Sequence, residues 1–154
     1  MKNKILIMLL LLFCMASCGK QTIFEKHEKI ENNTWNRNKV IAFEVPINDI
    51  KKDYNVYIAV RHSDVYAYNN LYVGVIIYTP SGDQRSNNYY LELRNEDRSF
   101  KGDVLGDIWD VKMQIMKNAS FTKQGIHKFE ISNLMQYPNL PDIMEIGLII
   151  EKQK

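Results

Sequence analysis

From residue 35 onward, hydrophobic and polar residues alternate with a period of two, which is typical of half-buried β-strands. Seven segments show this pattern or a short apolar run, and they lie at 40–45, 55–61, 71–79, 89–94, 109–116, 126–131 and 144–151. The segment 71–79 is apolar on both faces, which indicates a central strand, whereas Pro46 marks the first segment as an edge strand or a strand end. In the clearest segment, polar residues separate four hydrophobic ones, namely Trp109, Val111, Met113 and Ile115.

Short strands separated by turn-rich segments favour an all-β fold, and we expect an antiparallel β-sandwich of about seven strands. One short helical turn is predicted near the C-terminus, at 133–137. Asn133 can cap it, Gln136 follows three residues later, and Pro138 ends it. The 154 residues fit one domain, and no internal repeat is found. The sandwich is expected to occupy residues 35–154.

The first 17 residues have the organisation of a secretory signal peptide. Lys2 and Lys4 precede an apolar run at 5–15, which is too short to span a bilayer that needs about 20 residues. The alternative, a permanent membrane helix, is therefore disfavoured. The next residues resemble the lipobox of bacterial lipoproteins, with an apolar residue, two small residues and the cysteine that accepts lipid: Met15, Ala16, Ser17 and Cys18.

The two cysteines restrict the chemistry of the mature chain. Cys14 leaves with the signal peptide and Cys18 is consumed by lipid, including fatty acyl chains such as palmitate. Thiol catalysis, thiolate metal sites and disulfides are therefore excluded. Removal of Lys2 and Lys4 also brings the formal charge from +2 to zero, which argues against nucleic acid as a partner. We expect no cofactor besides the covalent lipid on Cys18.

Between the lipidated cysteine and the sandwich, residues 18–34 are mainly polar and charged. We interpret them as a flexible tether that spans roughly 20–24 Å and lifts the domain clear of the bilayer. Gly19 follows the cysteine where an aspartate would favour retention in the inner membrane. An outer-membrane anchor is therefore expected, and the membrane face stays open.

Candidate catalytic groups are few. His27, His62 and His127 stand in unrelated segments without the spacing of a metal site. Asp103 and Asp107 bracket a Leu-Gly pair, and Asp110 follows them. Capping of a turn is the favoured interpretation of these acids, and a glycoside hydrolase pair is the alternative.

One segment, 61–72, is unusually rich in tyrosine. Its candidate interaction face consists of Arg61, Tyr66, Tyr68 and Tyr72, because Tyr and Arg serve well at protein interfaces. Tyrosines can also stack on sugar rings. The structural alternative is that these rings pack over one end of the sandwich and hydrogen-bond the turn.

An ordered set of motifs across the mature chain resembles the gliding motility lipoproteins called GldH. The matching residues are Tyr54-Asn55-Val56-Tyr57, Arg61, Tyr66-Ala67-Tyr68-Asn69-Asn70-Leu71-Tyr72, Pro80-Ser81-Gly82, Leu105-Gly106-Asp107, Leu140-Pro141-Asp142-Ile143 and Ile146-Gly147-Leu148-Ile149-Ile150-Glu151-Lys152. The sequence departs from the family pattern at Ala67, where Pro is expected, and at Asp142, where Gly is expected.

The resemblance implies a non-enzymatic, membrane-anchored component of the gliding motility and linked protein secretion machinery. Its partners would be the lipid bilayer and other envelope proteins. Only Cys18 has a role that the family transfers to a residue here. Two alternatives stay open, namely a lipoprotein that binds glycans through the tyrosines and a carbohydrate hydrolase that uses the acids near Asp107.

Overall fold

The computed structural model describes residues 21–153, which form strands and one 3₁₀ turn, Glu31–Asn33. The strands are β1 (Gln21–Lys29), β2 (Thr34–Asn36), β3 (Ile41–Ile47), β4 (Asp53–Ser63), β5 (Asn70–Tyr78), β6 (Gln84–Glu92), β7 (Asp103–Leu105), β8 (Ile108–Ser120), β9 (Gly125–Asn133), β10 (Asn139–Pro141) and β11 (Ile143–Lys152). The predicted signal peptide, residues 1–17, and its lipidation site lie outside the described residues.

Two antiparallel sheets form the fold. A five-stranded sheet has the order β1-β11-β4-β8-β7, and a four-stranded sheet has the order β3-β9-β5-β6. The short strands β2 and β10 pair with each other. The all-β antiparallel prediction is confirmed, and all seven predicted strands are present, as β3, β4, β5, β6, β8, β9 and β11. Strand β5 is central and β3 is an edge, as their sequences indicate.

One hydrophobic core lies between the two sheets. Alternate residues of β4 and β11 point into it from the five-stranded sheet, and β3, β5 and β9 supply the opposite layer. The buried residues include Val56, Ile58, Val60, Ile146, Leu148, Ile150, Phe43, Val45, Val73, Val75, Phe129 and Ile131. Burying each such side chain contributes about 1.5–3 kcal/mol, so the core stabilises the fold without a disulfide.

The flexible tether predicted at 18–34 is wrong over most of its length. Residues Gln21–Lys29 form β1, which pairs antiparallel with β11 from Gln21 opposite Lys152 to Lys29 opposite Glu145. Phe24 anchors the strand, because its ring packs edge-on against Phe43 of the other sheet at 6.4 Å. Strand β1 is an edge strand with mostly exposed side chains, so main-chain pairing stabilises it although its sequence is polar.

The predicted helical turn at 133–137 is also wrong. Asn133 is the last residue of β9, and its side-chain oxygen accepts a hydrogen bond from the main-chain N–H of Met135 at 2.8 Å. Its amide nitrogen donates to the main-chain oxygen of Trp35 at 3.1 Å. The asparagine therefore caps a turn between strands and not a helix, since both structures use the same local side-chain bond.

The strands run between two ends of the sandwich, where the connecting loops lie. At one end, which we call the base, β1 begins and the loops 48–52, 79–83 and 121–124 connect the strands. At the other, which we call the far end, lie the loops 64–69, 93–102, 106–107 and 134–138. Strand β8 has 13 residues, and at about 3.3 Å per residue it separates the two ends by about 40 Å.

Candidate functional site

Tyr66, a member of the predicted interaction face, is a core residue. Its side chain is only 1% exposed, and its ring packs against His62 at a centroid distance of 5.5 Å. The hydroxyl donates a hydrogen bond to the main-chain oxygen of Asn70 at 3.0 Å. Burial raises the pKa of Tyr66 well above its usual range. Tyr66 therefore ties the β4–β5 loop to the core and offers no surface to a partner.

The two remaining tyrosines lie at separate places. Tyr68 is half-buried between Tyr66 and Tyr137, with centroid distances of 5.5 and 5.7 Å. Tyr72 lies on the outer face of the four-stranded sheet, where it stacks on Tyr90 at 4.1 Å. Its hydroxyl accepts a hydrogen bond from the side-chain amide of Asn88 at 3.2 Å.

Arg61 projects from β4 on the outer face of the five-stranded sheet, on the other side of the molecule. Its guanidinium donates two hydrogen bonds to Asp110, at 2.8 and 3.0 Å, and pairs with Glu145 at 3.1 Å. The hydrogen bond to Asp110 is the main cause that raises the pKa of Arg61 above its ordinary value. The structure therefore does not bring these four residues together on one face. Tyr66 lies in the core and Tyr68 in the β4–β5 loop. Tyr72 lies on the outer face of the four-stranded sheet, and Arg61 lies on the outer face of the five-stranded sheet.

The outer face of the five-stranded sheet contains a trough of about 500 Å³. Its floor includes Ala59 and Ile149, which form a small apolar cluster with Tyr57. His27 of β1 forms one wall, and its ring fits because position 147 is glycine: a Cβ there would lie 2.6 Å from Nδ1 of the histidine. The trough is not predicted from the sequence, because His27 lies in the segment expected to be a tether.

Several charged groups in and beside the trough form ion pairs. Lys112 pairs with Glu151, and its ammonium lies 4.4 Å from the centre of the Tyr57 ring. Asp110 is held by Arg61. These ion pairs help to fix the orientation of Lys112, Arg61 and Asp110 on the outer face of the sheet.

The three acids of the hydrolase alternative lie in the β7–β8 hairpin. Asp103 lies opposite Asp110 in the β7–β8 pairing. Asp107 lies in the tight turn between these strands, where its main-chain oxygen accepts a hydrogen bond from the N–H of Asp64 at 2.8 Å. Asp107 therefore lies in the turn that the sequence indicates, and its printed hydrogen bond there is made by the main chain.

Two of the three histidines are buried. His62 lies in the core beside Phe100, at a distance of 4.5 Å between the ring centroids. Its Nδ1 donates a hydrogen bond to the main-chain oxygen of Ser63 at 2.8 Å. His127 packs against Phe121 at 4.9 Å. Burial is the main cause that lowers the pKa of both side chains. Within residues 21–153, no group of three or more His, Cys, Asp or Glu side chains is arranged to hold a metal ion.

Exposed hydrophobic side chains are concentrated toward the far end. The turn of the β7–β8 hairpin carries Leu105, which is 81% exposed, and the hydrogen bond between Asp64 and Asp107 ties the neighbouring β4–β5 loop to it. Six large exposed hydrophobic residues lie in this half of the described chain: Val40, Val65, Tyr90, Val104, Leu105 and Tyr137. The two other large exposed hydrophobic residues of the described chain, Ile50 and Ile126, lie toward the base. No helix within the described chain has the length and apolar character to cross a membrane.

The fold places this protein in the class of all-β proteins built from packed antiparallel sheets. Comparison with known proteins assigns it to a family. A family model described as GldH lipoprotein matches residues 22–150. The chain therefore belongs to the GldH lipoprotein family, as its motifs indicate.

Two relatives carry matching names. The chain is 27% identical to the gliding motility lipoprotein GldH of Flavobacterium johnsoniae, over 96% of this chain and 95% of that protein. It is 24% identical to a protein named gliding motility lipoprotein GldH homolog from Christiangramia forsetii, over 96% and 94%. Among solved structures, it resembles one of infectious bursal disease virus Gx strain with a TM-score of 0.33 and 14% identity, over 87% of this chain and 30% of that one.

Proposed function

We propose that the chain is a lipid-anchored, non-catalytic component of the gliding motility machinery and of the protein secretion linked to it. Cys18 carries the lipid, the anchor lies in the outer membrane, and the sandwich acts by contact with other envelope proteins. Membership of the GldH family and the order of the residues before Cys18 support the anchor.

The single observation that carries the contact role is the apolar far end. Leu105 is 81% exposed in a turn that two hydrogen-bonded strands hold in place. Concentrated exposed apolar side chains mark sites of protein contact, because leaving them in water is unfavourable. A partner that covers Leu105 and Val65 would remove that apolar surface from water.

Co-purification from membranes in mild detergent tests this role. The Leu105→Glu variant is expected to lose the envelope proteins that accompany the natural chain, because a charge would be buried at the contact. Ile126→Glu is the matched control, since Ile126 is also exposed but lies toward the base. Loss from both variants, or purification of the natural chain alone, would refute contact through the far end.

A second candidate function is glycan binding, and the stacked pair Tyr72 and Tyr90 favours it. The Tyr90 ring is 68% exposed on the outer face of a sheet, where a sugar ring can stack on an aromatic ring. Retention of the natural chain on a glycan array, lost in Tyr90→Ala, would support this function. No retention of the natural chain would end it.

A further inference from the structure

The attachment of β1 to the sheet shortens the link between lipid and domain. If Cys18 carries the lipid, only Gly19 and Lys20 separate it from Gln21, the first residue of β1. Three residues reach at most about 11 Å even when fully extended. This distance is close to the thickness of one polar layer of a bilayer, about 5–8 Å, so the start of β1 must lie at the membrane surface.

We infer that the base of the sandwich rests on the phospholipid head groups, so that Ile50, Lys51 and Lys123 contact the bilayer and the far end is held away from it. This inference rests on the proposed lipid at Cys18. With β8 about 40 Å long, the turn that carries Leu105 would stand about that far above the lipid.

The composition of the base fits a membrane surface. Ile50 is exposed in the β3–β4 loop, directly before Lys51 and Lys52. Lys123 is exposed in the neighbouring β8–β9 loop. An apolar side chain beside lysines suits the boundary between acyl chains and head groups, and each lysine near an anionic surface is attracted to lipid phosphates.

The acids of the base have partners within the protein. Asp49 pairs with Lys152 at 2.8 Å, Asp53 accepts a hydrogen bond from Ser120 at 2.8 Å, and Asp83 accepts one from Ser81 at 2.8 Å. The far end has a different balance, because the acids of its loops and turns slightly outnumber the basic residues Arg37, Lys39, Arg94, Arg98 and Lys101; these acids are Asp64, Glu96, Asp97, Asp103, Asp107 and Asp142. An anionic surface therefore attracts the base more than the far end.

A short link also permits one other orientation of the domain, in which the edge of β1 lies flat on the bilayer. The exposed edge of β1 does not favour it, because Glu25 and Glu28 offset Lys26 and Lys29. Phe24, the large apolar side chain of this strand, is turned inward against Phe43. The edge therefore lacks both the net positive charge and the exposed apolar group that the base has.

Fluorescence quenching by lipids with spin-labelled head groups tests the inference on the full mature lipoprotein. The protein is reconstituted in vesicles of phosphatidylcholine and phosphatidylglycerol. Lipidated Cys18 leaves no free thiol, so a single new cysteine can be labelled alone. The variants are Ile50→Cys at the base, Glu28→Cys on the β1 edge and Leu105→Cys at the far end.

The label at position 50 is expected to be quenched several-fold more strongly than those at positions 28 and 105. Equal quenching of the labels at positions 50 and 105 overturns the inference. If the label at position 28 is quenched as strongly as the label at position 50, or more strongly, the domain lies with the β1 edge flat on the bilayer instead, which also overturns it. Failure of the natural chain to float with the vesicles would refute the lipid anchor itself, which is a different outcome from a protein that floats without this contrast.

A charge variant tests the role of the lysines. Lys51→Glu with Lys123→Glu, added to the labelled proteins, is expected to reduce the quenching contrast between positions 50 and 105 about twofold or more. Lys26→Glu with Lys39→Glu is the matched control, because it makes the same charge change away from the base. An equal reduction in both, or in neither, refutes contact through the lysines of the base.

Discussion

Replacement of Tyr66 distinguishes a core residue from a binding residue. Tyr66 is only 1% exposed, and its hydroxyl bonds the main-chain oxygen of Asn70 at 3.0 Å. Tyr66→Phe removes the hydrogen bond and leaves that oxygen unsatisfied, which costs about 1–3 kcal/mol. Tyr66→Ala also removes the ring and leaves a cavity beside His62, and truncation of a buried aromatic residue costs about 3–5 kcal/mol.

Urea unfolding of the mature chain in mild detergent, followed by circular dichroism, measures these free energies. Tyr90→Ala is the matched control, because Tyr90 is 68% exposed and loses mainly its stacking on Tyr72, about 0.5–1.5 kcal/mol. We expect the order Tyr66→Ala, Tyr66→Phe, Tyr90→Ala from most to least destabilised. If Tyr66→Ala unfolds at the same urea concentration as Tyr90→Ala, the placement of Tyr66 in the core is wrong.

Three further predictions concern stability. Burial lowers the pKa of His62 and His127, so these side chains take up protons more readily in the unfolded chain than in the folded one. The free energy of unfolding is therefore expected to fall as the pH drops below about 6.5, by at most about 1.4 kcal/mol per pH unit for each histidine. Urea titrations from pH 7.5 to 5.5 measure this fall. A flat profile would contradict this burial. Gly102→Ala should lower the melting temperature much more than Gly106→Ala, because both glycines have positive φ but only the first would place a Cβ 2.1 Å from a main-chain oxygen; equal effects would refute the close approach. Asp142→Gly should raise stability by about 0.5–1 kcal/mol, because Asp142 has a φ of 67°; a loss of stability would contradict this.

The sequence predicts the elements whose burial alternates. In β8, polar Asp110 and Lys112 lie outside while Val111 is buried, so the period of two is visible in the residues themselves. The family pattern also locates a special backbone position, since Asp142 stands where Gly is expected and adopts a left-handed conformation. Local preferences and one-sided burial are enough to predict these features.

The other features depend on partners that are distant in the chain. Strand β1 is held by main-chain bonds to β11, more than a hundred residues away, and its side chains give only a weak signal. Tyr66 is buried because His62 and Tyr68 enclose it, although tyrosine in a loop is equally typical of a surface. Asn133 has the same capping bond in a strand turn as it would have in a helix. The residues of the predicted interaction face are close together in the sequence, but the structure places them in different layers of the fold.

Intact mass spectrometry of the protein extracted from membranes determines whether Cys18 carries the lipid. We expect a chain that begins at Cys18 with a mass increased by a diacylglycerol group and a fatty acyl chain, and we expect Cys18→Ser to abolish both the cleavage and the added mass. A protein that begins at another residue, or one with an unmodified Cys18, would show that the domain is not anchored by this lipid.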